Sequence, residues 1–164
     1  MTAHSPQYRL DGGRGDARGG GLRGGFYPQG FTGIYPQVYP QGVFTDIWPD
    51  IYEFQDRALE FQRRMEAAGG RIRFHSYYRG RDEQEALFLQ KATKAHYGMS
   101  PHNYGLAIDF AFVPYGYNVP KSWWEFAAQE ADRVGLLSGI GFGDAGHIES
   151  RVWRTWIPYI SQLV

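Results

Sequence analysis

A histidine and an aspartate lie seven residues apart around an apolar stretch of the chain. Between Leu106 and Phe112 every residue except Asp109 is apolar, which predicts a buried strand with one carboxylate in its middle. A charge removed from water is tolerated only when it is paired, hydrogen-bonded or bound to a metal. His102 precedes the strand, and the turn-forming residues after it can bring its imidazole to the same point. Imidazole nitrogen and carboxylate oxygen are both zinc ligands. A catalytic zinc takes three protein ligands and a water, so we expect a third ligand.

The third ligand must be another histidine or acid, because the chain contains no cysteine. His4, His75, His96 and His147 are the remaining histidines, and His147 stands out because Asp144 precedes it by three residues in a glycine-rich turn. That spacing can direct the carboxylate at a water held by the metal. Such an arrangement is typical of hydrolases, in which the carboxylate takes a proton from the water and passes it to the leaving amine.

Three segments resemble a known family. Ser76–Gln84, Ser100–Phe110 and Gly143–Glu149 are similar, in order and approximate spacing, to motifs of the zinc D-Ala-D-Ala carboxypeptidase and L-alanyl-D-glutamate endopeptidase family. The resemblance covers roughly residues 44–153. It implies a zinc cofactor and the following roles: zinc ligands His102, Asp109 and His147, general base Asp144, and Arg79 as the group that stabilises the oxyanion or grips the substrate.

The residue at position 144 favours one branch of that family. D-Ala-D-Ala dipeptidases resemble this chain but place glutamate there, whereas phage L-alanyl-D-glutamate endopeptidases commonly place aspartate, as here. The resemblance therefore implies hydrolysis of the L-Ala–D-Glu bond of peptidoglycan stem peptides by an endolysin-like enzyme. A D-Ala-D-Ala carboxypeptidase or dipeptidase is the alternative within the family. A second alternative is a binding module in which zinc is structural, as in hedgehog signalling domains, which are similar in fold.

The composition limits which binding partners and which cellular location we expect. The formal net charge is zero, so no global field attracts nucleic acid or a membrane surface. The sequence has no apolar run of membrane-spanning length and no apolar signal-peptide core. We therefore expect a monomer that is made in the host cytoplasm and acts on the cell wall after release or from a virion.

The first residues differ in composition from the rest. Residues 1–42 hold 11 of the 22 glycines and three Tyr-Pro-Gln units. Such a segment cannot bury enough apolar surface to offset the entropy of ordering it, so we expect a flexible arm over residues 1–43 and a zinc peptidase domain over residues 44–164. The arm is interpreted as a plain tether in preference to a wall-binding segment.

Within the domain, helices and strands mix without a regular repeat. Capping-box patterns predict helices that begin at Asp50, Asp82 and Ser122, each with glutamate three residues on, and end near Gly69, Lys94 and Gly135. Strands are predicted over 71–78, 106–112, 140–142 and 147–149, and an amphipathic helix over 152–164. The expected fold is α+β, a small antiparallel sheet with helices packed against one side. The resemblance implies the hedgehog/DD-peptidase-like version of that fold.

Several roles stay open at this level. Arg79 follows a strand and could instead be a surface arginine paired with Asp82 or Glu83. Glu149 is close to His147 and is an alternative general base, although a hydrogen-bonding role to a ligand is at least as consistent with its spacing.

Four further residues near these motifs are weighed in the same way. Tyr115 and Tyr117 could line a substrate groove or cover the core. His75 and His96 have no acidic neighbour at ligand spacing, so we exclude both as metal ligands.

Overall fold

The computed structural model describes residues 46–162, so the arm predicted for residues 1–43 lies outside the described residues. The described part contains three α-helices and four β-strands: α1 (Trp48–Ala67), β1 (Ile72–Ser76), α2 (Arg81–Leu89), β2 (Ala107–Phe112), α3 (Lys121–Arg133), β3 (Leu136–Ser138) and β4 (His147–Ser150). Short 3₁₀ helices occupy Pro101–Tyr104, Gly139–Phe142 and Trp153–Gln162. None of the helices among these residues has the length and hydrophobicity that a membrane span requires.

The strands form one antiparallel sheet in the order β1-β2-β4-β3. Strands β2 and β4 are its centre, and Asp109 pairs directly with His147 while Ile108 pairs with Ile148. Directly paired residues share a face of an antiparallel sheet. The predicted α+β fold with a small antiparallel sheet is confirmed.

One face of the sheet carries the helices. Phe110 of β2 contacts Phe61 of α1, with ring centroids 5.2 Å apart, and Trp124 of α3 at 5.7 Å. Ile108 and Ile148 belong to the same face and are almost fully buried. The helices therefore cover the apolar face, as predicted, and Asp109 and His147 are on the other face.

Helix α1 has the predicted apolar stripe but not the predicted cap. Its inward residues Ile51, Phe54, Ala58, Phe61 and Met65 are all buried, which is typical of a helix laid against a core. It begins at Trp48, two residues before Asp50, and its N-cap makes no side-chain hydrogen bond. The Asp50 carboxylate instead accepts a hydrogen bond of 2.8 Å from Trp156 Nε1. A tertiary partner has replaced the local cap.

The other two helices also lack the predicted side-chain cap. Helix α2 begins at Arg81 after an uncapped Gly80 and ends at Leu89, five residues before Lys94. Helix α3 begins at Lys121 after Pro120, whose side chain cannot cap. Both helices therefore start one residue before the predicted Asp82 and Ser122.

The predicted strand over 140–142 is wrong. Those residues belong to the 3₁₀ helix Gly139–Phe142, whose first turn is closed by the Ser138 hydroxyl accepting a hydrogen bond from the Ile140 N–H at 3.2 Å. The third strand lies just before it, at Leu136–Ser138. The predicted closing helix is present as the 3₁₀ helix Trp153–Gln162.

Candidate metal centre and its cleft

Asp109 and His147 come together because the sheet pairs them. Asp109 is in the middle of β2 and His147 is the first residue of β4, and their side chains share the face opposite the helices. His102 lies in the 3₁₀ helix Pro101–Tyr104, which ends at Gly105 in the left-handed conformation, with φ of 68°. That turn leads directly into β2, so the sequence brings all three side chains to one point.

The three candidate ligand atoms form a nearly equilateral triangle. His102 Nε2 lies 3.3 Å from both His147 Nδ1 and Asp109 Oδ1, and the latter two atoms are 3.0 Å apart. Ligands around a tetrahedral zinc at roughly 2.0–2.1 Å are separated by about 3.3–3.4 Å. The donor set could therefore hold one small cation, and within residues 46–162 it is the group of histidine and acidic side chains with that geometry.

Hydrogen bonds on the far side of each imidazole orient the rings. His102 Nδ1 lies 2.6 Å from the Tyr77 carbonyl oxygen, which can only accept, so this nitrogen carries the proton. His147 Nε2 lies 2.9 Å from the Glu149 carboxylate and donates to it in the same way. Each ring thus turns a lone pair toward the centre of the triangle. Two lone pairs and a carboxylate oxygen facing one another repel unless a proton or a metal ion lies between them.

Glu149 orients His147 and is not free to act as the base. Its side chain is buried, and Oε1 accepts a hydrogen bond from Trp153 Nε1 at 2.9 Å while Oε2 faces the imidazole of His147. Both oxygens are engaged away from the centre of the triangle. The structure therefore favours the hydrogen-bonding role for Glu149 over the alternative of a general base.

Electrostatics of the cluster favour a charged carboxylate. Burial alone would raise the pKa of Asp109, but the imidazoles of His102 and His147 outweigh it and hold that pKa well below its usual range. Burial alone would lower the pKa of His147, but hydrogen bonds to Asp109 and Glu149 outweigh it and raise the pKa to about 9. Burial lowers the pKa of His102. The cluster thus attracts positive charge, and a bound metal ion would replace the proton of His147.

The triangle opens into a cleft of about 470 Å³. Its lining includes Asp144, Arg79 and Tyr117 beside the candidate ligands. Asp144 lies in the turn before β4, and that turn fits because Gly139 has no side chain. A Cβ at Gly139 would lie 2.3 Å from the Asp144 carbonyl oxygen. Partial desolvation of the Asp144 carboxyl, and then the charge of Asp109, raise the pKa of Asp144.

Arg79 is held beside Asp109 and not at the surface. Its Nη2 donates to Asp109 Oδ2 at 3.4 Å and to the Ser76 hydroxyl at 3.2 Å, and only 12% of its side chain is exposed. Pairing with Asp82 or Glu83, the alternative reading of this arginine, is replaced by these contacts. Arg79 Nε is buried and has no hydrogen-bond partner among residues 46–162.

Two buried amides fix the loop that carries Arg79. Asn103 Nδ2 donates to the Arg79 carbonyl at 3.0 Å, and Gln84 Nε2 donates to the Ala95 carbonyl at 2.7 Å. Gln84 Oε1 then accepts from Arg79 Nη1 at 3.4 Å. The backbone and the guanidinium of Arg79 are therefore both held in place.

The other two histidines among residues 46–162 stay apart from the triangle, and His4 lies outside the described residues. His96 Nδ1 lies 3.1 Å from an exposed Glu85, and its ring packs on Phe88. His75 Nε2 lies 2.6 Å from the hydroxyl of Tyr117. Neither histidine belongs to the candidate metal group.

The two tyrosines after β2 have separate surroundings. Tyr117 lines the cleft, whereas Tyr115 packs on Trp123 at 5.8 Å and is not part of the cleft lining. Sequence reasoning left both tyrosines undecided and missed the pairing of Tyr117 with His75. The spacing of these residues carried no signal for it, because the pair forms between segments that are 42 residues apart.

Comparisons with known proteins were made by sequence and by structure. No family model matches the chain, and no curated protein matches it. Among solved structures, the L-Ala D-Glu endopeptidase ChiX of Serratia marcescens is similar at 16% identity and a TM-score of 0.49, over 66% of this chain and 83% of that one. A mutant of the vancomycin resistance D,D-pentapeptidase VanY, in complex with Zn(II), is similar at 14% identity and a TM-score of 0.49, over 64% and 76%. The L,D-carboxypeptidase DacB of Streptococcus pneumoniae is similar at 16% identity and a TM-score of 0.49, over 65% and 70%.

Proposed function

We propose that the chain is a zinc-dependent peptidase that hydrolyses peptide bonds of bacterial peptidoglycan. The observation that supports this most strongly is the triangle formed by His102, Asp109 and His147, which opens into a cleft where an acid and an arginine also lie. A purely structural metal site is closed by a fourth protein ligand, whereas a catalytic one leaves a position open. Here three ligands face a cleft large enough for a short peptide segment.

The donor set fits zinc. Two imidazole nitrogens and one carboxylate oxygen, with separations of 3.0–3.3 Å, suit a tetrahedral ion with one position left for solvent. When bound, zinc supplies a water of lowered pKa and polarises the carbonyl of the scissile amide. The choice of zinc over other divalent ions is part of the proposal.

Asp144 is assigned the proton transfers. Its carboxylate accepts a proton from the attacking water as the water oxygen bonds to the carbonyl carbon. The same proton passes to the amide nitrogen as the carbon–nitrogen bond breaks, which leaves a free amine and a new carboxylate. A carboxyl with a raised pKa is suited to both steps, because it holds a proton more readily than an ordinary aspartate.

Arg79 is assigned to the developing negative charge. Its guanidinium lines the cleft beside Asp109 and is fixed by Gln84 and Ser76, so little reorganisation is needed when an oxyanion forms. Loss of one such donor costs about 10²–10³ in rate.

The bond proposed for hydrolysis is L-Ala–D-Glu of the stem peptide. Support comes from the residue type at position 144, because aspartate there is similar to the endopeptidase branch of the family. The phage members of that branch suggest cell-wall lysis as the biological setting.

Digestion of purified sacculi by the full-length protein tests the proposal. We expect mass analysis to find new amino-terminal D-Glu, released only when zinc is present. Free D-Ala without new amino-terminal D-Glu would assign the chain to the carboxypeptidase alternative instead.

The Asp144→Ala variant separates catalysis from a binding module. Because Asp144 is assigned the proton transfers, its substitution should abolish hydrolysis. The zinc content and the melting temperature should stay close to those of the parent. Asp56→Ala, which removes an exposed carboxylate of α1, is the matched control and should retain activity. A parent protein that binds zinc and sacculi without releasing any product would support the binding module.

A further inference from the structure

Strand β1 contains an irregularity beside the candidate metal centre. Phe74 pairs with Phe110 and Ser76 pairs with Asp109, so His75 is an extra residue on β1 for which β2 has no counterpart. A bulge of this kind locally redirects side chains and is common beside active sites. Here Ser76 reaches Arg79, and the adjacent His75 reaches Tyr117.

Tyr117 is held on three sides. The loop that carries it is closed by paired hydrogen bonds between Phe112 and Gly116, and its ring stacks on Trp124 at 5.8 Å with an interplanar angle of 17°. The edge of the ring also lies against Gly146, where an added Cβ would be 2.7 Å from Tyr117 Cε1. Because Gly146 directly precedes His147, this packing places the tyrosine beside the metal-binding turn.

Among residues 46–162, the hydroxyl of Tyr117 has one hydrogen-bond partner. It lies 2.6 Å from His75 Nε2, and the two rings meet edge to face at 5.9 Å. A phenol hydroxyl has one proton to donate and two lone pairs that accept. If the imidazole N–H donates to the phenol oxygen, the phenol proton remains free to donate into the cleft that Tyr117 lines.

We propose that Tyr117 is a substrate-binding residue that donates a hydrogen bond to a carbonyl oxygen of the bound peptide, and that His75 is the residue that positions its hydroxyl. This inference rests on the proposed function, since it takes a peptide as the ligand. The oxygen that Tyr117 recognises belongs to a peptide group other than the scissile one. Arg79 is the donor already assigned to the scissile carbonyl oxygen, so Tyr117, whose hydroxyl is held by His75 of the outer strand β1, is assigned to a second carbonyl oxygen of the peptide.

The position of Tyr117 determines which kinetic constant should change. A contact to a carbonyl oxygen other than that of the scissile bond is made equally in the bound substrate and in the transition state, so its loss raises KM and leaves kcat nearly unchanged. The loss of one neutral hydrogen bond corresponds to roughly a 3- to 10-fold change. This pattern differs from that of Arg79, whose loss should lower kcat.

The test compares two tyrosine variants of the full-length, zinc-loaded protein on a synthetic stem peptide. Tyr117→Phe removes the hydroxyl and keeps the ring on Trp124, and we expect KM to rise roughly 3- to 10-fold with kcat within about twofold of the parent. Tyr115→Phe, in the same loop but outside the cleft lining, is the matched control and should match the parent. Zinc content and melting temperature should be unchanged in both variants.

Variants of His75 test the positioning role. His75→Leu should raise KM as much as Tyr117→Phe does, and the double variant should be no worse than either single one, because both act through the same hydroxyl. His75→Gln keeps a side-chain N–H donor and should recover part of the loss.

The outcomes separate this inference from the proposed function. A parent protein with no activity on the peptide or on sacculi would overturn both. A fully active parent whose Tyr117→Phe variant behaves like Tyr115→Phe, or loses kcat at constant KM, would overturn the role of Tyr117 alone. Additive effects of the His75 and Tyr117 variants would overturn the positioning role of His75.

Discussion

Two carboxylates on opposite sides of the sheet have contrasting surroundings. Glu130 of α3 lies on the helix side, with 3% of its side chain exposed. Its Oε2 accepts from Arg64 Nε at 2.5 Å, and its Oε1 accepts from Arg133 Nη1. Each oxygen thus faces a guanidinium of permanent positive charge, which leaves no need for any other cation.

The two oxygens of Asp109 do not each have a guanidinium partner. Its Oδ1 faces two imidazole nitrogens whose rings already donate elsewhere, and its Oδ2 receives a hydrogen bond of 3.4 Å from Arg79. Around Glu130 one carboxylate meets two guanidinium groups. Around Asp109 three carboxylates lie near two guanidinium groups, and these five side chains line one cleft: Asp109, Asp144, Glu149, Arg79 and Arg154.

The difference separates a cluster that stabilises the fold from one that binds a ligand. An internally neutralised carboxylate fixes α3 against α1 and needs nothing from solution. At Asp109 the balancing positive charge includes a proton on His147, and the exchange of that proton for a metal ion is the property of a metal site. The two clusters should therefore respond in opposite ways when each loses its charge.

The largest effect is expected from Asp109→Asn. The amide keeps the size of the side chain but removes the charge and offers a poor zinc ligand, so zinc affinity should fall by more than about 100-fold, beyond what the loss of a supporting contact costs. Zinc should raise the melting temperature of the parent and leave that of the variant unchanged, because only the parent binds it. Isothermal titration and thermal unfolding with and without zinc measure this. Equal zinc affinity in the two proteins would contradict the metal centre.

Glu130→Gln should show the reverse pattern. Loss of the carboxylate leaves Arg64 and Arg133 without their partner, and breaking a buried ion pair costs about 3 kcal/mol of folding free energy. Zinc affinity should not change, because the cluster is on the other face of the sheet. Urea unfolding of the metal-free protein, compared with zinc titration, tests both statements. A variant that lost zinc binding at unchanged stability would remove the distinction between the clusters.

The convergence of His102, Asp109 and His147 could be predicted from the sequence because its signals are local. A lone Asp109 in an apolar strand, with His102 just before it and a glycine-rich turn before His147, needs only one strand pairing to converge. The fold class followed from the same patterns. The roles of these residues and of Asp144 and Arg79 remain predictions that the experiments above test.

What the sequence could not predict depends on tertiary contacts. The acid of the first capping box, Asp50, bonds a tryptophan 106 residues away, and Glu85 of the second accepts from the Tyr97 N–H at 2.7 Å. The pairing of His75 with Tyr117 requires a bulge in β1, and no pattern of residue types marks where a strand takes an extra residue. Local periodicity thus predicts where helices, strands and isolated charges lie. The partners of the predicted capping residues and the pairing of His75 with Tyr117 depend on contacts across the fold.

The smallest effect is expected from Glu149→Gln, which weakens the metal cluster without removing a ligand. The parent carboxylate accepts from both His147 Nε2 and Trp153 Nε1, whereas the amide has one oxygen for two donors. His147 should lose basicity and orientation, and zinc affinity should fall about 10- to 100-fold, as is usual for such supporting contacts. Saturating zinc should restore full occupancy, which Asp109→Asn would not allow. Glu85→Gln is the matched control, because it alters a histidine–carboxylate pair of similar length, 3.1 Å, that is exposed and outside the cleft. Unchanged zinc affinity in Glu149→Gln would mean that the Glu149 carboxylate does not contribute to binding the cation.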